Sequence, residues 1–456
     1  MIVMKFGGTS VESAEAIERV ASIVRARLQR QPVVVVSAMG KTTNRLLALA
    51  RLAAEGKQAD ALAQVSELRE FHWNEARRMV IPEEKDNLHA SLDAHFEELS
   101  HMVAEIAQVE AISPKMVDAV SSLGERLSSI IVTHAFRYFG MPAAHVDSRT
   151  VVITDTRHTQ AAPFFDLTYP RLQAAIPPLA KSQVVVMGGF IASTRDGVAT
   201  TLGRGGSDFT ASIIGAGIGA EEIQIWTDVD GMLTCDPRIL PGGHLIRTIS
   251  FDEAAELAYF GAKVLHPATV LPAMDKNIPV LVLNSRRPEV SGTRIVNQPP
   301  PCKNPIKSIA CKTDITVVRI HSLRMLMAYG FLRRIFEVFD RFQTPVDMVT
   351  TSEVSVSLTI DNPQKLNEIR LELEGIAGVE VEQGRAIVCV VGDDIRGTPG
   401  IGARIFRALE GVNVLMVSQG SSKLNFSFLV DAADLKRAVA GLHNEFFQEL
   451  DPEVFA

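Results

Sequence analysis

Short apolar runs alternate with longer stretches in which apolar residues recur every three or four positions, and this alternation continues to about residue 295. The runs at 1–6, 32–37, 144–147, 183–187, 222–228 and 279–283 are mostly apolar at consecutive positions, with many β-branched residues. A strand that alternates apolar and polar residues keeps one face wet. A continuously apolar strand is covered on both faces, as in a parallel sheet between helices. Residues 13–28 and 252–260 carry helical spacing between such runs, while 44–137 is almost free of strand signals and rich in Ala, Leu, Glu and Arg. That stretch reads as a helical insertion beside the sheet. The chain through residue 297 is therefore expected to be an α/β domain, a mostly parallel sheet with helices on both faces.

A change follows at 297–305, which holds four prolines. Such a segment cannot continue a helix and reads as a semi-rigid linker. Beyond it the pattern repeats. One copy runs strand (315–321), helix (330–342), strand (346–351), strand (354–360), helix (363–373), strand (379–382). The next runs strand (386–391), helix (400–409), strand (412–417), strand (425–430), helix (432–445), and the first helix of each copy contains Arg-Ile-Phe, at 334–336 and 404–406. This is a βαββαβ duplication of the ferredoxin-like kind, expected at 313–384 and 385–456. The second copy lacks its last strand; residues 306–311, within the connecting segment 298–312, are the candidate to supply it.

With 456 residues, two to four domains of roughly 150 residues each are expected. The chain is 46% hydrophobic and 22% charged, with a formal net charge of −7. That balance suits a globular chain and disfavours nucleic acid or an anionic membrane as the main partner. Cys235, Cys302, Cys311 and Cys389 form no CxxC pair and have no histidines at zinc-like spacing. They read as reduced structural thiols, with neither a disulfide framework nor a metal site. No window approaches the roughly 18 apolar residues of a membrane helix, and the N-terminus does not have the pattern of a signal peptide. A cytoplasmic location is expected.

Candidate chemistry concentrates at strand ends. Lys5-Phe6-Gly7-Gly8-Thr9-Ser10 closes the first strand just before a helix. Two glycines let backbone N–H groups approach phosphate oxygens, and Lys5 adds a point charge; alone, the motif is also an ordinary strand–helix turn, and it is not a Walker loop. Gly203-Arg204-Gly205-Gly206-Ser207-Asp208 opens a second helix. Ser207 and Asp208 suit a cap and first turn, whereas an arginine between glycines at a helix start suits an anionic substrate. Gly215-Ala-Gly217-Ile-Gly219-Ala220 matches a dinucleotide fingerprint in letters alone, because a helix precedes it and a strand follows; it reads as a helix-terminating loop. Thr227-Asp228 ends a buried-looking strand, where open α/β sheets bind ligands. Glu125, taken alone, reads as solvated helix surface.

Together these segments resemble the aspartate kinases of the amino-acid kinase family over essentially the whole chain. The resemblance is carried by KFGGTSV at 5–11, SLGERLS at 122–128, TTLGRGGSDFTA at 200–211, WTDVDG at 226–231, DPR at 236–238 and FGAKVLHP at 260–267. The C-terminal copies resemble ACT domains, the amino-acid-binding modules that regulate the family. By the resemblance, Lys5, Phe6, Gly7 and Gly8 hold the ATP phosphates, and Thr227, Asp228, Leu233, Arg238 and Lys263 line the nucleotide pocket. Thr43, Glu125 and Arg204 hold L-aspartate, and Asp208 completes the catalytic centre with Lys5. The effector site comprises Met325, Ala328, Phe331, Leu332, Val346, Asp347, Ser352 and Glu353, as in the lysine-sensitive monofunctional type. The family often has Tyr at Leu233 and, in some lysine-sensitive members, Ser at Ala328.

The implied reaction is phosphorylation of the aspartate β-carboxylate by ATP, with Mg2+ carried on the nucleotide. The implied assembly is a homo-oligomer, dimer or tetramer. Two readings compete with this: a kinase for glutamate or acetylglutamate, and a catalytically silent amino-acid sensor built on the kinase scaffold.

Overall fold

A computed structural model describes residues 1–109, 111–261, 269–322 and 329–456. Their packing divides into two compact units. The first comprises Met1–Met232, Thr248–Phe251 and Val264–Pro299; the second comprises Leu233–Arg247, Asp252–Lys263 and Pro300–Ala456. Two segments that the sequence pattern leaves with the α/β domain therefore pack with the C-terminal part of the chain.

The first unit runs β1 (Ile2–Phe6), α1 (Ala14–Arg25), β2 (Pro32–Val36), then four helices: α2 (Thr42–Ala54), α3 (Gln58–Ala76), α4 (Lys85–Ile106) and α5 (Pro114–Tyr138). It continues through β3 (Ala143–His145), α6 (Ser148–Val151), β4 (Ile153–Thr154), α7 (Phe165–Ala180), β5 (Val184–Gly188), β6 (Ile191–Thr194), β7 (Ala199–Thr201), α8 (Gly206–Ile218) and β8 (Glu222–Thr227). After β9 (Thr248–Ser250) and α9 (Phe251–Tyr259, mostly in the second unit), α10 (Leu271–Asp275), β10 (Val280–Asn284) and β11 (Thr293–Val296) complete it.

The main sheet has eight strands in the order β3-β5-β2-β1-β8-β10-β11-β9. From β3 to β10 every pairing is parallel; β11 is antiparallel to β10, and β9 pairs parallel with β11, so these two strands run opposite to the rest. Burial explains the continuous apolar runs. Ile2, Met4, Phe6, Val34 and Val36 pack into a core with α1–α5. Val3, Val33 and Val35 point the other way and are equally buried, on the face where α7 and α8 pack. A period of two along each strand thus feeds two dry faces. At roughly 1.5–3 kcal/mol for each fully buried valine, the five buried residues of β2 anchor the centre of the sheet.

A separate sheet of three short strands, β4-β6-β7, has no counterpart in the sequence reading. The glycines at 215–219 sit differently from the expected loop. Gly215 and Gly217 lie inside α8, where an added Cβ would stand 2.6 Å from Ile223 and 2.7 Å from Leu172, so they are close-packing positions; Gly219, at φ +64, ends the helix.

The second unit is built on a six-stranded antiparallel sheet in the order β13-β14-β12-β15-β17-β16. Its strands are β12 (Ser308–His321), β13 (Val349–Thr351), β14 (Ser355–Ile360), β15 (Gly378–Val391), β16 (Met416–Gln419) and β17 (Asn425–Asp431). Its helices are α11 (Phe331–Arg341), α12 (Leu366–Glu374), α13 (Ile401–Ala408) and α14 (Leu435–Phe446). The two central strands are each 14 residues long. The first part of β12, Ser308–Lys312, pairs with Ile387–Val391, and after a bulge Ile315–His321 pairs with Arg385–Gly378. Phe331, Ile335, Val338 and Phe339 of α11 pack on Val318, Val356 and Leu358 of the sheet. Among the described residues no helix is long and apolar enough to cross a membrane.

Candidate active site

The parallel strands β1, β2 and β5 end side by side, and the turns that follow them meet the starts of α2 and α8. Lys5, Ser37, Thr43, Glu125, Phe190, Gly203, Gly205, Gly206, Ser207 and Asp208 line one cleft of about 280 Å³ there. It lies at the carboxyl ends of the strands, where an open α/β sheet presents a crevice. Two 13-residue helices begin at its wall, and their free N–H ends make the cleft favourable for anions.

Lys5 and Asp208 face each other across the cleft, Nζ to Oδ1 2.7 Å, with side chains 12% and 14% exposed. Asp208 sits in the first turn of α8, whose N-cap is Gly205 at φ +71. This left-handed backbone is costly for any residue with a Cβ and natural for glycine. Ser37 donates its hydroxyl to Ser207 Oγ at 3.1 Å, tying the end of β2 to the same turn. At Gly8 the reason for glycine is crowding: a Cβ there would lie 2.9 Å from both Ala38 O and Gly40 O.

Glu125 is the electrostatic centre of the site. It is only 4% exposed, on a helix buried almost all round, and its Oε2 makes no hydrogen bond. Burial pushes its carboxyl up to about 8, although the Ala38 backbone, its own amide and Lys5 pull the other way. Desolvation wins because the Lys5 ammonium is paired directly with Asp208, 2.7 Å away, and reaches Glu125 only through space. The sequence reading of Glu125 alone, as helix surface, is thus reversed. A buried carboxyl of this kind becomes an anion when a cation is brought to it.

On the other side of β1, Gly7 N–H donates to Trp226 O at 3.2 Å and Ser285 N–H to Thr227 O at 2.8 Å. The Ser10 and Ser285 hydroxyls meet at 2.8 Å. The glycine turn after β1 and the Thr227–Asp228 turn after β8 therefore form one joined wall, with Asp228 exposed. Phe6, by contrast, is fully buried and stacks on Trp226 at 5.9 Å, so its side chain serves the core.

Other expected residues lie apart. Arg204 is exposed and does not line the cleft, although its neighbours Gly203 and Gly205 do. Leu233 and Arg238 belong to the second unit, where Arg238 pairs with Asp236 at 2.6 Å. Lys263, Met325 and Ala328 lie outside the described residues. Of the effector residues, Phe331 is buried in the core of the second unit, Leu332 is exposed, and Val346 is packed partly against that core. Ser352 and Glu353 form the exposed turn between β13 and β14, with Ser352 Oγ accepting from Ser355 N–H at 3.1 Å. The Asp347 side chain is 4% exposed and paired with Lys312.

Sequence reasoning missed three contributors. Ser37 and Phe190 line the cleft; Phe190 holds a left-handed φ of +63, and the Gly188-Gly189-Phe190 step after a strand was the available signal. Asp118, fully buried on α5, accepts from Thr201 Oγ1 (2.5 Å), Thr159 N–H (3.0 Å) and His158 Nδ1 (2.7 Å). It fixes the end of β7 from which the Gly203–Asp208 turn departs, and no local motif marks it.

Comparison with known proteins fits this geometry. The amino acid kinase family model matches residues 1–284 and an ACT domain model matches residues 388–446. The chain is 38% identical to the chloroplastic aspartokinase 2 of Arabidopsis thaliana, over 99% of this chain and 85% of that one. It is 36% identical to the lysine-sensitive aspartokinase 3 of Escherichia coli (strain K12), over 98% of this chain and 99% of that one. The chain belongs to the aspartokinase family. Among solved aspartokinases, E. coli aspartokinase III in complex with aspartate and ADP superposes with a TM-score of 0.84 at 35% identity, covering 98% of this chain and 100% of that chain. The same enzyme in complex with lysine and aspartate gives 0.86, with the same identity and coverage. As an aspartokinase, the chain places its KFGG turn, its SLGERLS helix and its GRGGSD turn around a single cleft.

Proposed function

We propose that this chain transfers the γ-phosphoryl group of ATP to the β-carboxylate of L-aspartate, giving 4-phospho-L-aspartate, and that lysine inhibits it through the second unit. This is the first step toward the aspartate-derived amino acids. The observation that carries the substrate assignment is Glu125: a buried carboxyl with an unpaired oxygen beside Lys5 and Asp208. An amino acid with a free α-ammonium and a side-chain carboxylate meets both needs of that cleft. Acetylglutamate, whose amine is acylated, carries no cation and leaves Glu125 as it is.

The nucleophile has a reference pKa near roughly 3.9 and is ionised at neutral pH, so no general base is required. What must be overcome is the approach of one anion to another, and positioning with charge neutralisation supplies the rate. Lys5 neutralises charge on the transferred group. Asp208 holds the Lys5 ammonium in place. The Gly7–Gly8 turn, too crowded at Gly8 for a Cβ, brings the backbone close to the phosphates and would offer them the Gly8 N–H, the Gly7 N–H being bonded to Trp226 O. Magnesium would arrive on the nucleotide oxygens, with Asp208, paired to Lys5, and the exposed Asp228 as carboxylates that could face it. Thr43 and Arg204 would hold the carboxylates of aspartate, Arg204 by its guanidinium fork once substrate is in the cleft. Leu233, Arg238 and Lys263 are assigned to the nucleotide on family resemblance, and Met325, Ala328, Phe331, Leu332, Val346, Asp347, Ser352 and Glu353 to the effector. The corresponding division is a catalytic domain at 1–297 and ACT domains at 313–384 and 385–456, in a cytoplasmic homo-oligomer.

The test is ATP-dependent acyl-phosphate formation, trapped with hydroxylamine, on aspartate, glutamate and acetylglutamate with and without lysine. Turnover on aspartate that lysine suppresses supports both parts. Turnover without suppression removes lysine as effector, and ATP binding without turnover on any acid supports a silent sensor.

A further inference from the structure

Within the second unit, Asp347 and Lys312 form a largely buried ion pair. Lys312 leaves β12 at its bulge and places Nζ 2.5 Å from Asp347 Oδ1. Asp347 is 4% exposed and Lys312 15%. The same ammonium has two further partners: Asp361 Oδ2 at 3.3 Å and the face of the Tyr259 ring at 4.4 Å from its centroid. The other carboxylate oxygen, Asp347 Oδ2, is buried and has no hydrogen-bond partner, while the Tyr259 phenol beside the carboxylate favours its ionised form. Burial pushes the Asp347 carboxyl up even with Lys312 beside it. A second cation would therefore find an unsatisfied acceptor here, but it would have to share it with an ammonium already in contact.

We propose that Lys312 is an internal competitor for the effector: its ammonium occupies the cation subsite at Asp347, and an amino acid with a side-chain ammonium binds by shifting Lys312 onto Asp361 and Tyr259. The inference rests on the reading that Asp347 belongs to the effector site. It makes Lys312 a determinant of effector affinity, because a ligand that must displace a resident group binds more weakly by the fraction of molecules in which the site is free. It also gives displacement somewhere to go. Asp361 is 42% exposed and can take the ammonium without burying new charge, and Tyr259 offers a cation–π contact. Tyr259 ends α9, and that helix is itself fixed within the second unit. Glu253 forms a buried pair with Lys307 at 3.0 Å, and Glu256 accepts from Ser422 and Asn425 at 2.7 Å each. A change at Lys312 thus reaches the end of a helix held in the second unit through Glu253 and Glu256.

The experiment is calorimetric titration of L-lysine onto the full-length chain and onto Lys312→Met and Lys312→Arg, with lysine inhibition curves for all three. Methionine keeps the stem and removes the competing charge; if Lys312 holds the subsite in about nine molecules of ten, lysine affinity rises roughly tenfold. Arginine can fork onto the carboxylate and compete harder, so affinity falls. Opposite shifts in the two variants support the proposal. Unchanged affinity in both, or weakening in both, overturns it while leaving lysine as effector. A parent chain that binds no lysine overturns the effector reading itself, and the two failures are thereby distinguished.

Discussion

Binding of the amino-acid substrate is predicted to be coupled to release of a proton. In the free site Glu125 is pushed up to about 8, so at pH 7 roughly one molecule in ten carries the ionised form that an ammonium requires. Bound ammonium restores the anion. Lowering the pH from 8 to 6.5 should then raise the aspartate KM roughly fifteen-fold in all, the slope approaching tenfold per unit (about 1.4 kcal/mol) only well below pH 8, while the ATP KM changes little. Glu125→Gln should raise the aspartate KM and flatten its pH dependence. Stability offers a second measurement of the same group. Its folded pKa lies above the ordinary carboxyl value of 4.5, so between pH 4.5 and 8 the folded chain holds more protons than the unfolded one. Stability from this site therefore falls as pH rises through that window, by up to a few kcal/mol at its upper end. Glu125→Gln escapes that penalty, and in urea unfolding it should gain on the parent at pH 8.5 far more than at pH 5. A flat aspartate KM from pH 6.5 to 8.5, with a variant-to-parent stability difference that does not change with pH, would refute the reasoning.

Other outcomes follow from single contacts. Lys5→Ala should cut kcat by about 10²–10³ or more with unchanged circular dichroism; near-normal turnover removes Lys5 from the chemistry. Arg204→Ala should raise the aspartate KM about tenfold or more, the loss of one charge-assisted contact, and leave the ATP KM close to the parent value; equal effects on both would count against its assignment. In Gly8→Ala the new Cβ meets two backbone oxygens at 2.9 Å, so the turn must shift; kcat/KM should fall at least about tenfold with roughly 1–3 kcal/mol lost in unfolding, and a fully active variant would show that the turn tolerates displacement. Glu353→Ala should raise the lysine concentration for half-inhibition, and an identical inhibition curve would place the effector elsewhere.

The parallel sheet was legible because strands buried on both faces write themselves as apolar runs, unbroken in β2 and interrupted only by Lys5 in β1, whereas β8 carries Glu222 and Gln224 between its apolar residues. The short strands β4, β6 and β7 were not, since elements of two to four residues carry too few positions to show a period. Glu125 and Asp118 were misread or passed over for a single reason. The middle of α5 is enclosed on nearly every side, with small polar residues such as Ser121, Ser122, Ser128 and Ser129 buried along it. A polar residue on such a helix looks solvated until the surrounding helices are in place. The glycine turns were legible as chemistry because their composition is costly unless backbone must approach something closely. Arg204 was legible as a charge, but its exposed position in the structure could not be read from its neighbours. The burial of Asp347 was not legible because its partner, Lys312, lies 35 residues away along the chain.

The shared central strands of the second unit bear on how the gene could be cut. Each of β12 and β15 begins in one copy of the duplication and ends in the other, and they pair along both of those parts. A protease site or an engineered break between residues 384 and 385 would fall within β15 itself. Either fragment would then expose a half-strand whose backbone partners left with the other piece. Expressed separately, the halves should be insoluble or find each other again, and unfolding of the intact unit should show one transition where two tethered modules would show two. Ancestral duplication would then have left this unit two sequence repeats but a single cooperative element, one that recombination can move between proteins only whole.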